Sequence, residues 1–334
     1  DFKEALVAFA RQIILASPED RPEGAEALRA HRQQLGFLRT LIESALSSFD
    51  RKAERPEARE RDFHWRFAMY GNEVPPGVEE TAATLYEQGN LDEAGAAFRL
   101  LVDAFDHYAE GYNFLGCIAD DRGNLSEAIA MYQKTVALGR NLFPKRIARS
   151  RYWSDLKTRP YMRGLRNLAR SLKAARRYDE ALSACDRLER ECHDTIMADS
   201  YRAAIHLNTG RWLAAAEAAE RVLDMDPSEG FVAAFARAER GERRPALENF
   251  LHAALNHPLA ARLLTGLTCR KPRNHTDAED YNAGVGYLRS LDGYLQDRRS
   301  PEGRRFLRHV IRDARVGSLL DEIRTVRTRW FEER

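Results

Sequence analysis

The sequence predicts an all-α protein, an α-solenoid of stacked helix pairs with non-repeat helices at both ends. A pattern of a glycine followed by an alanine recurs along the chain, and apolar positions between the recurrences follow the helical period of 3.6 residues. Most of the 20 glycines and 12 prolines lie between these periodic segments, which favours helices joined by short connections. With 334 residues, 44% of them apolar, the chain is long enough to bury an extended core.

The recurring pattern has three fixed positions. A glycine is followed five residues later by an alanine, and four residues after that by an aromatic or small residue. One copy has Arg176 at the glycine position but retains Ala181. The other copies are Gly89–Ala94–Phe98, Gly123–Ala128–Tyr132, Gly210–Ala215–Ala219 and Gly241–Ala246–Phe250.

The alignment of these copies gives the length of the repeat. Repeats begin near residues 75, 109, 162, 196 and 227, so the spacings are 34, 53, 34 and 31 residues. The spacing of 53 is one repeat plus an insertion, which we place at about residues 139–160. One helix pair cannot bury its own apolar face, so neighbouring pairs are expected to stack over residues 75–260.

A 34-residue period with small residues at the helix crossing resembles the tetratricopeptide repeat. Leu115-Gly116, the segment Ala128–Tyr132, and Pro227 and Pro258 at repeat ends carry this resemblance. It implies a right-handed solenoid that binds proteins on a concave face lined by the first helix of each repeat. The R-P-Y-M-R run at 159–163 also resembles a bacterial branch of these proteins, from which no catalytic residue is carried over.

The two ends of the chain lack the repeat. Residues 1–74 are expected to form an N-terminal helical region with helices over 22–49 and 57–70. Because the chain begins at Asp1 rather than Met, we expect it to start inside a truncated repeat of a longer protein. Residues 261–334 are expected to cap the solenoid with helices at 276–297, 301–314 and 316–330.

Positive charge is concentrated in one segment. Residues 140–177 contain thirteen Lys or Arg and one acid, Asp155, a net charge of +12 in a chain whose total is +2. The rest of the chain therefore carries about −10. Such segregation of charge indicates either contacts with an anionic partner or pairing with acidic residues elsewhere in the protein.

The repeat register predicts which residues line the concave face. A basic stripe at i, i+3, i+7 and i+10 occupies one side of the first helix of the third repeat. Three interpretations remain open: pairing with Glu110 and Asp120 of the preceding repeat, binding of a carboxylate or phosphate group of a partner, or arginines that are simply solvated. The predicted partner-binding residues are Asn113, Arg163, Arg166, Asn167, Arg170 and Lys173, with apolar pockets at Met197, Leu207, Phe231 and Phe235.

The predicted function is a protein–protein interaction scaffold or adaptor for a protein or peptide partner with acidic or carboxylate groups. The alternative is nucleic-acid binding through residues 140–177, where Tyr152, Trp153 and Tyr161 alternate with basic residues. Those aromatic residues could instead anchor the insertion by burial. Self-association into a homo-oligomer is a third hypothesis.

Several function classes are not expected. The sequence has no H-x-x-x-H metal pattern, no glycine-rich phosphate loop and no G-x-S-x-G nucleophile motif, which predicts no metal, no cofactor and no enzymatic activity. The sequence contains no run of 18 apolar residues, so it predicts no membrane-spanning helix. The 4 cysteines include no C-x-x-C pair, which favours a reducing compartment, most simply the cytoplasm.

Overall fold

The structure is a computed structural model that describes residues 68–69, 72–74, 76–105, 107–143, 147, 152, 156–296 and 301–332. The chain divides into two compact units, Asp1–Ser171 and Leu172–Arg334. The predicted all-α class is confirmed, because the regular elements of the described residues are helices apart from one ribbon of two very short strands.

The described residues of the first unit form four complete helices and most of a fifth. The short ribbon, β1 (Ala68–Met69) and β2 (Asn72–Glu73), is antiparallel and precedes them. The helices are α1 (Pro76–Glu87), α2 (Leu91–Ala104), α3 (Ala109–Asp121), α4 (Leu125–Gly139) and α5 (Arg159–Ala174), with 3-10 turns at Arg140–Leu142 and Leu156–Thr158.

The second unit begins within α5 and contains ten further helices among its described residues. The helices are α6 (Tyr178–Cys192), α7 (Thr195–Asn208), α8 (Trp212–Glu220), α9 (Gly230–Glu239), α10 (Arg243–Asn256), α11 (Pro258–Leu264), α12 (His275–Ser290), α13 (Asp292–Leu295), α14 (Glu302–Arg312) and α15 (Ala314–Glu332), and a 3-10 turn, Pro227–Glu229, precedes α9.

The turn between the two helices of each repeat has the same backbone conformation. Its glycine adopts a positive φ, between 74° and 79° at Gly89, Gly123, Gly210 and Gly241. This left-handed conformation closes the end of the first helix, as at Gly89, where the amide of Asn90 donates to the carbonyl of Leu85 at 2.9 Å. Arg176, which replaces glycine in the third repeat, adopts the same conformation with a φ of 58°.

The alanine of each repeat is a packing position. All five, Ala94, Ala128, Ala181, Ala215 and Ala246, have no exposed surface. A methyl group at this point allows close approach of the helices that surround it, and a longer side chain would separate them. The glycine and the alanine that defined the repeat in the sequence therefore have distinct physical roles, one in the turn and one in the core.

The helices after the last repeat pack on the core of the second unit. Leu291, Tyr294, Leu307, Ile311 and Leu320 belong to one buried cluster together with residues of α7 to α11. The described bounds match the predicted helices closely, except that the helix expected over 276–297 is interrupted at Leu291, between α12 and α13.

Two buried carboxylates stabilise this C-terminal packing. Asp280 of α12 accepts hydrogen bonds from the amides of Leu259 and Ala260, at 2.8 and 3.2 Å. These amides lie in the first turn of α11, where the helix itself offers them no acceptor. Asp277 accepts three hydrogen bonds from the Arg324 guanidinium of α15, with the shortest at 2.7 Å. Charge-assisted contacts of this kind fix the orientation of α11 and α15 relative to α12.

Parts of the predicted organisation lie outside the described residues. The helix expected over 22–49 does, and so do residues 57–67 of the helix expected over 57–70. For the described end of that second helix the prediction is wrong, because Ala68–Met69 is a strand that pairs with Asn72–Glu73. In this pair Ala68 lies opposite Glu73 and Met69 lies opposite Asn72, the register of antiparallel strands and not of a helix.

We expect the backbone at Arg176 to carry a measurable strain. Arg176→Gly should be more stable than Arg176→Ala by about 1 kcal/mol, because only glycine adopts a positive φ without steric cost. Both substitutions remove the ion pair between Arg176 and Asp292, so that contact cancels in the comparison. Chemical denaturation of the two variants measures the difference.

Ser183, an exposed residue of α6, provides the matched control. There Ser183→Gly should be less stable than Ser183→Ala by about 1 kcal/mol, the opposite order, since α-helical backbone favours alanine. Equal stability of the two Arg176 variants would contradict a strained turn.

Candidate partner-binding face

Polar side chains of α1, α3 and α5 form a continuous row in the first unit. The Tyr108 hydroxyl, at the start of α3, donates a hydrogen bond of 2.8 Å to Glu79 Oε1 of α1. Glu110 of α3 lies 3.0 Å from Arg163 of α5, measured from Oε2 to Nη2. We call this row, from Glu79 to Arg170, the polar ladder.

Three further contacts continue the polar ladder between α3 and α5. Asn167 Nδ2 donates to Asn113 Oδ1 at 2.9 Å and approaches Cys117 Sγ at 3.9 Å. Arg170 Nη2 donates to Asp120 Oδ2 at 2.8 Å. The structure thus confirms the interpretation in which Arg163 and Arg170 pair with Glu110 and Asp120 of the preceding repeat.

Burial changes the acidity of the ladder carboxylates. Glu110 is buried, and desolvation raises its pKa to about 6 although the Arg163 charge and the Asn113 amide lower it. Burial also raises the pKa of Glu79, against the hydrogen bond from Tyr108. Around neutral pH the Glu110 carboxylate is mainly ionised, and it holds the Arg163 guanidinium in place.

The arginines of the polar ladder remain accessible while they are paired. The Arg163 and Arg170 side chains are 45% and 47% exposed, whereas Glu110 and Asp120 are 5% and 20% exposed. Arg166 lies between them on α5 and is half-buried. The carboxylates therefore form the floor of this face, and the guanidinium groups form its surface.

Two residues predicted to bind a partner are buried. Asn113 is buried and acts as the acceptor that positions Asn167. Lys173, the last residue of the predicted basic stripe, is buried in the second unit, where Nζ donates to Ser290 Oγ at 2.5 Å and lies 5.6 Å from the Tyr201 ring centroid. We correct the prediction for Asn113 and Lys173, since their polar groups bond within the protein.

The predicted apolar pockets are also corrected. Leu207, Phe231 and Phe235 have no exposed surface. The Tyr287 ring of α12 packs 6.1 Å from Phe231, and the Tyr294 ring of α13 packs 5.3 Å from Phe235. The protein's own C-terminal helices cover this apolar surface, so it offers no pocket to a partner.

Met197, the fourth apolar residue of the prediction, is half-buried on α7. Its amide donates to the Asp194 carboxylate at 3.3 Å, which caps the start of that helix. A contact of Met197 with a partner stays a prediction.

Sequence reasoning missed a buried polar cluster in the second unit. Glu229 Oε1 accepts hydrogen bonds from Ser200 Oγ at 2.5 Å and Tyr287 Oη at 3.2 Å, and Ser228 Oγ lies 2.7 Å from the same tyrosine hydroxyl. Glu229 Oε2 has no hydrogen-bond partner among the described residues. Burial, together with the nearby Asp226 charge, raises the pKa of Glu229 to about 7 although the hydrogen bonds from Ser200 and Tyr287 lower it.

No motif in the sequence pointed to this cluster. The only signal was the apolar period of α12 and α13, which places Tyr287, Leu291 and Tyr294 on one inward face. That period predicts burial, but it does not reveal which residues of the repeats lie beneath it.

The aromatic residues of the insertion are anchored where the structure describes them. Phe143 packs edge to face against Tyr152 and Tyr161, with ring centroids 5.7 and 5.5 Å apart. Tyr161 has no exposed surface and Tyr152 is buried, so these two rings are core residues rather than platforms for base stacking. Trp153 lies outside the described residues.

Three further sequence expectations concern metals, thiols and membranes. No cluster of three His, Cys, Asp or Glu side chains suited to hold a metal ion occurs in the described ranges. All four cysteines, Cys117, Cys185, Cys192 and Cys269, are free thiols. Within the part of the chain that the structure covers, no helix combines the length and apolarity needed to cross a bilayer.

A comparison with known families agrees with the repeat. Residues 109–145, which contain α3 and α4, match the family model of the tetratricopeptide repeat. The chain is similar to the crystal structure of YrrB, described as a TPR protein with an unusual peptide-binding site, at 18% identity and a TM-score of 0.41 over 55% of this chain and 86% of that chain. No curated protein matches the chain.

We expect Glu229 to make stability fall as pH rises. Its pKa of about 7 in the folded state lies above the 4.5 of an exposed glutamate, so the folded protein retains the proton between these values and the unfolded chain loses it. The stabilisation is complete below about pH 4.5 and lost above about pH 7. At pH 8, Glu229→Gln should therefore be more stable than the parent by about 1–3 kcal/mol, and at pH 5 the gain should be small.

Denaturation midpoints between pH 5 and pH 8 measure this difference. Glu217, an exposed glutamate of α8, provides the matched control, because Glu217→Gln makes the same change of side chain on the surface of the same unit. A Glu229→Gln profile parallel to that of the parent would show that the carboxylate does not titrate in this range.

Proposed function

We propose that this protein is an interaction scaffold that binds an extended or helical segment of a protein partner on the face formed by α1, α3 and α5. The observation that carries the proposal is the polar ladder, in which half-exposed arginines are held in place by carboxylates beneath them. The tetratricopeptide match of residues 109–145 includes α3, the central helix of this face.

The fixed guanidinium groups favour binding because they are already ordered before a partner binds. A flexible arginine loses side-chain entropy when it binds, whereas Arg163 and Arg170 are already oriented by Glu110 and Asp120. A guanidinium presents five N–H donors, so a group that bonds to one carboxylate can also bond to a second. Carboxylate or phosphate groups of a partner match this geometry.

Charge balance restricts the kind of partner. The polar ladder contains acids as well as bases, since Glu110 and Asp120 partly neutralise Arg163 and Arg170. The polar ladder complements a partner that carries both kinds of group. Acidic groups of this partner would meet the arginines of α5, and its hydrogen-bond donors would meet Glu79 or Asp120. Such alternation selects a register more than it adds affinity.

Nucleic-acid binding by residues 140–177 is the alternative, and the buried rings of Tyr152 and Tyr161 argue against it. Sequence-tolerant binding of single strands uses exposed rings together with basic groups. We expect a labelled random single-stranded oligonucleotide to bind weakly in a fluorescence anisotropy titration. Tight binding whose logarithm falls steeply and linearly with the logarithm of salt concentration would replace our proposal with the alternative.

We expect Arg170→Gln to weaken binding of an acidic peptide by about tenfold or more, because it removes one charge-assisted contact. The peptide would be selected on the parent protein from a displayed random library and labelled, and its dissociation constant measured by anisotropy. Arg166→Gln should have an effect in the same direction, and the double substitution a larger one.

Arg244→Gln is the matched control. Arg244 is also an exposed helical arginine in an ion pair, with Glu248 at 2.9 Å, but it lies on α10 of the second unit. Its substitution removes the same charge and should leave peptide affinity unchanged. Equal affinities for the Arg170 and Arg244 variants, with both folded by circular dichroism, would contradict the proposed face.

A further inference from the structure

Two arginines of α14 converge on one point of the second unit. Arg304 and Arg308 are four residues apart, so they lie on the same side of the helix. A Cβ atom built on Gly266 would stand 3.1 Å from Arg304 Nη2 and in closer contact with Arg308 Nη2. Both guanidinium groups therefore reach the surface above the Gly266 backbone, where the absence of a side chain leaves room for them.

Backbone contacts hold both side chains in this arrangement. Arg304 Nε donates to the carbonyl of Leu264 at 3.0 Å, and Arg308 Nε donates to the carbonyl of Thr265 at 2.6 Å. These carbonyls end α11, where a positive charge is favourable. The contacts use the Nε atoms and leave the Nη2 atoms directed towards Gly266, which is exposed.

Among the described residues, no acid forms an ion pair with either of the two charges. Within the described ranges, neither Arg304 nor Arg308 belongs to any ion pair, unlike Arg262, which pairs with Asp321. Glu239, the last residue of α9, is bound instead by the Tyr294 hydroxyl and by the amide of Gly303 at the start of α14, both at 2.7 Å. Burial and then the neighbouring Arg308 charge lower the pKa of Arg304, the effect expected of two like charges held together.

We propose that Arg304 and Arg308 form a binding site for a dianionic phosphoryl group above Gly266. Two fixed guanidinium groups carry two positive charges, which a phosphate dianion neutralises and a single carboxylate does not. Tetrahedral phosphate oxygens can accept from both Nη2 atoms at once. The segment that follows, residues 270–273, adds Arg270, Lys271 and Arg273, all exposed, to the positive potential of this region.

The site is independent of the polar ladder, because all of its residues belong to the second unit. Arg304 and Arg308 also stabilise the end of α11, so their substitution can affect folding as well as binding. The first test therefore uses the unmodified protein, and the variants then locate the site.

Isothermal titration calorimetry of the whole chain with inorganic phosphate, at an ionic strength held constant with potassium chloride, tests the proposal. We expect saturable binding to one site, together with a rise in the unfolding temperature that depends on phosphate concentration. Absence of saturable heat in the parent protein would overturn the proposal.

Arg308→Gln and Arg304→Gln should each weaken phosphate binding by about tenfold or more, since each removes one of the two converging charges. Arg305→Gln is the matched control, because Arg305 is exposed on the same helix and its loss removes the same charge. Equal affinities for the Arg305 and Arg308 variants would overturn the assignment of the site.

If the glutamine variants fail to fold, Arg308→Lys retains the charge and a donor to the Thr265 carbonyl but loses the planar fork. It should weaken phosphate binding by about tenfold, and an unchanged affinity would overturn the proposal. Competition with O-phosphoserine separates the two sources of the phosphoryl group. Displacement of phosphate indicates a site open to phosphorylated side chains, and no displacement indicates a site for the free ion; both results support the site itself.

Discussion

The close contact around the small residues of each repeat is the constraint on which the rest of the structure depends. A residue with positive φ closes the turn, and a buried alanine lets helix backbones approach. Together they set the register of each pair, and this register is reproduced even where Arg176 replaces glycine at an energetic cost. Repetition of the register brings equivalent positions of α3 and α5 opposite each other, so that Arg163 meets Glu110 and Arg170 meets Asp120.

This arrangement explains how a chain with a charge of only +2 can hold a segment of +12. Part of the basic charge is compensated by carboxylates that the solenoid register places next to it. Compensation does not remove the arginines from the surface, because the acids lie deeper than the guanidinium groups. The pairs thus act as an ordered polar surface rather than as a stabilising core, since exposed ion pairs contribute little to the free energy of folding.

In the second unit, the helix positions equivalent to this polar surface are covered by the protein's own C-terminal helices. Tyr287 and Tyr294 cover Phe231 and Phe235, and the hydroxyl groups of the tyrosines bond to the buried carboxylate of Glu229 and to Glu239. An aromatic ring on an apolar surface, with its hydroxyl on a polar group, satisfies both parts of the side chain. The C-terminal helices are therefore part of the core of this unit. In their packing they bring Arg304 and Arg308 to the end of α11, where the converging charges arise.

The sequence by itself determined the helix pairs and their turns, because glycine, alanine and apolar periods are local signals that a fixed repeat length transfers along the chain. It offered Glu110 and Asp120 as candidate partners of the basic stripe, and the structure decided that they pair with Arg163 and Arg170. The sequence did not determine which residues of the repeats remain exposed. Lys173, Phe231 and Phe235 occupy the expected positions, but residues of α12 and α13 cover or bond to them. Only the tertiary structure decided this, since the packing of non-repeat helices depends on contacts between residues far apart in sequence, for which no local period exists.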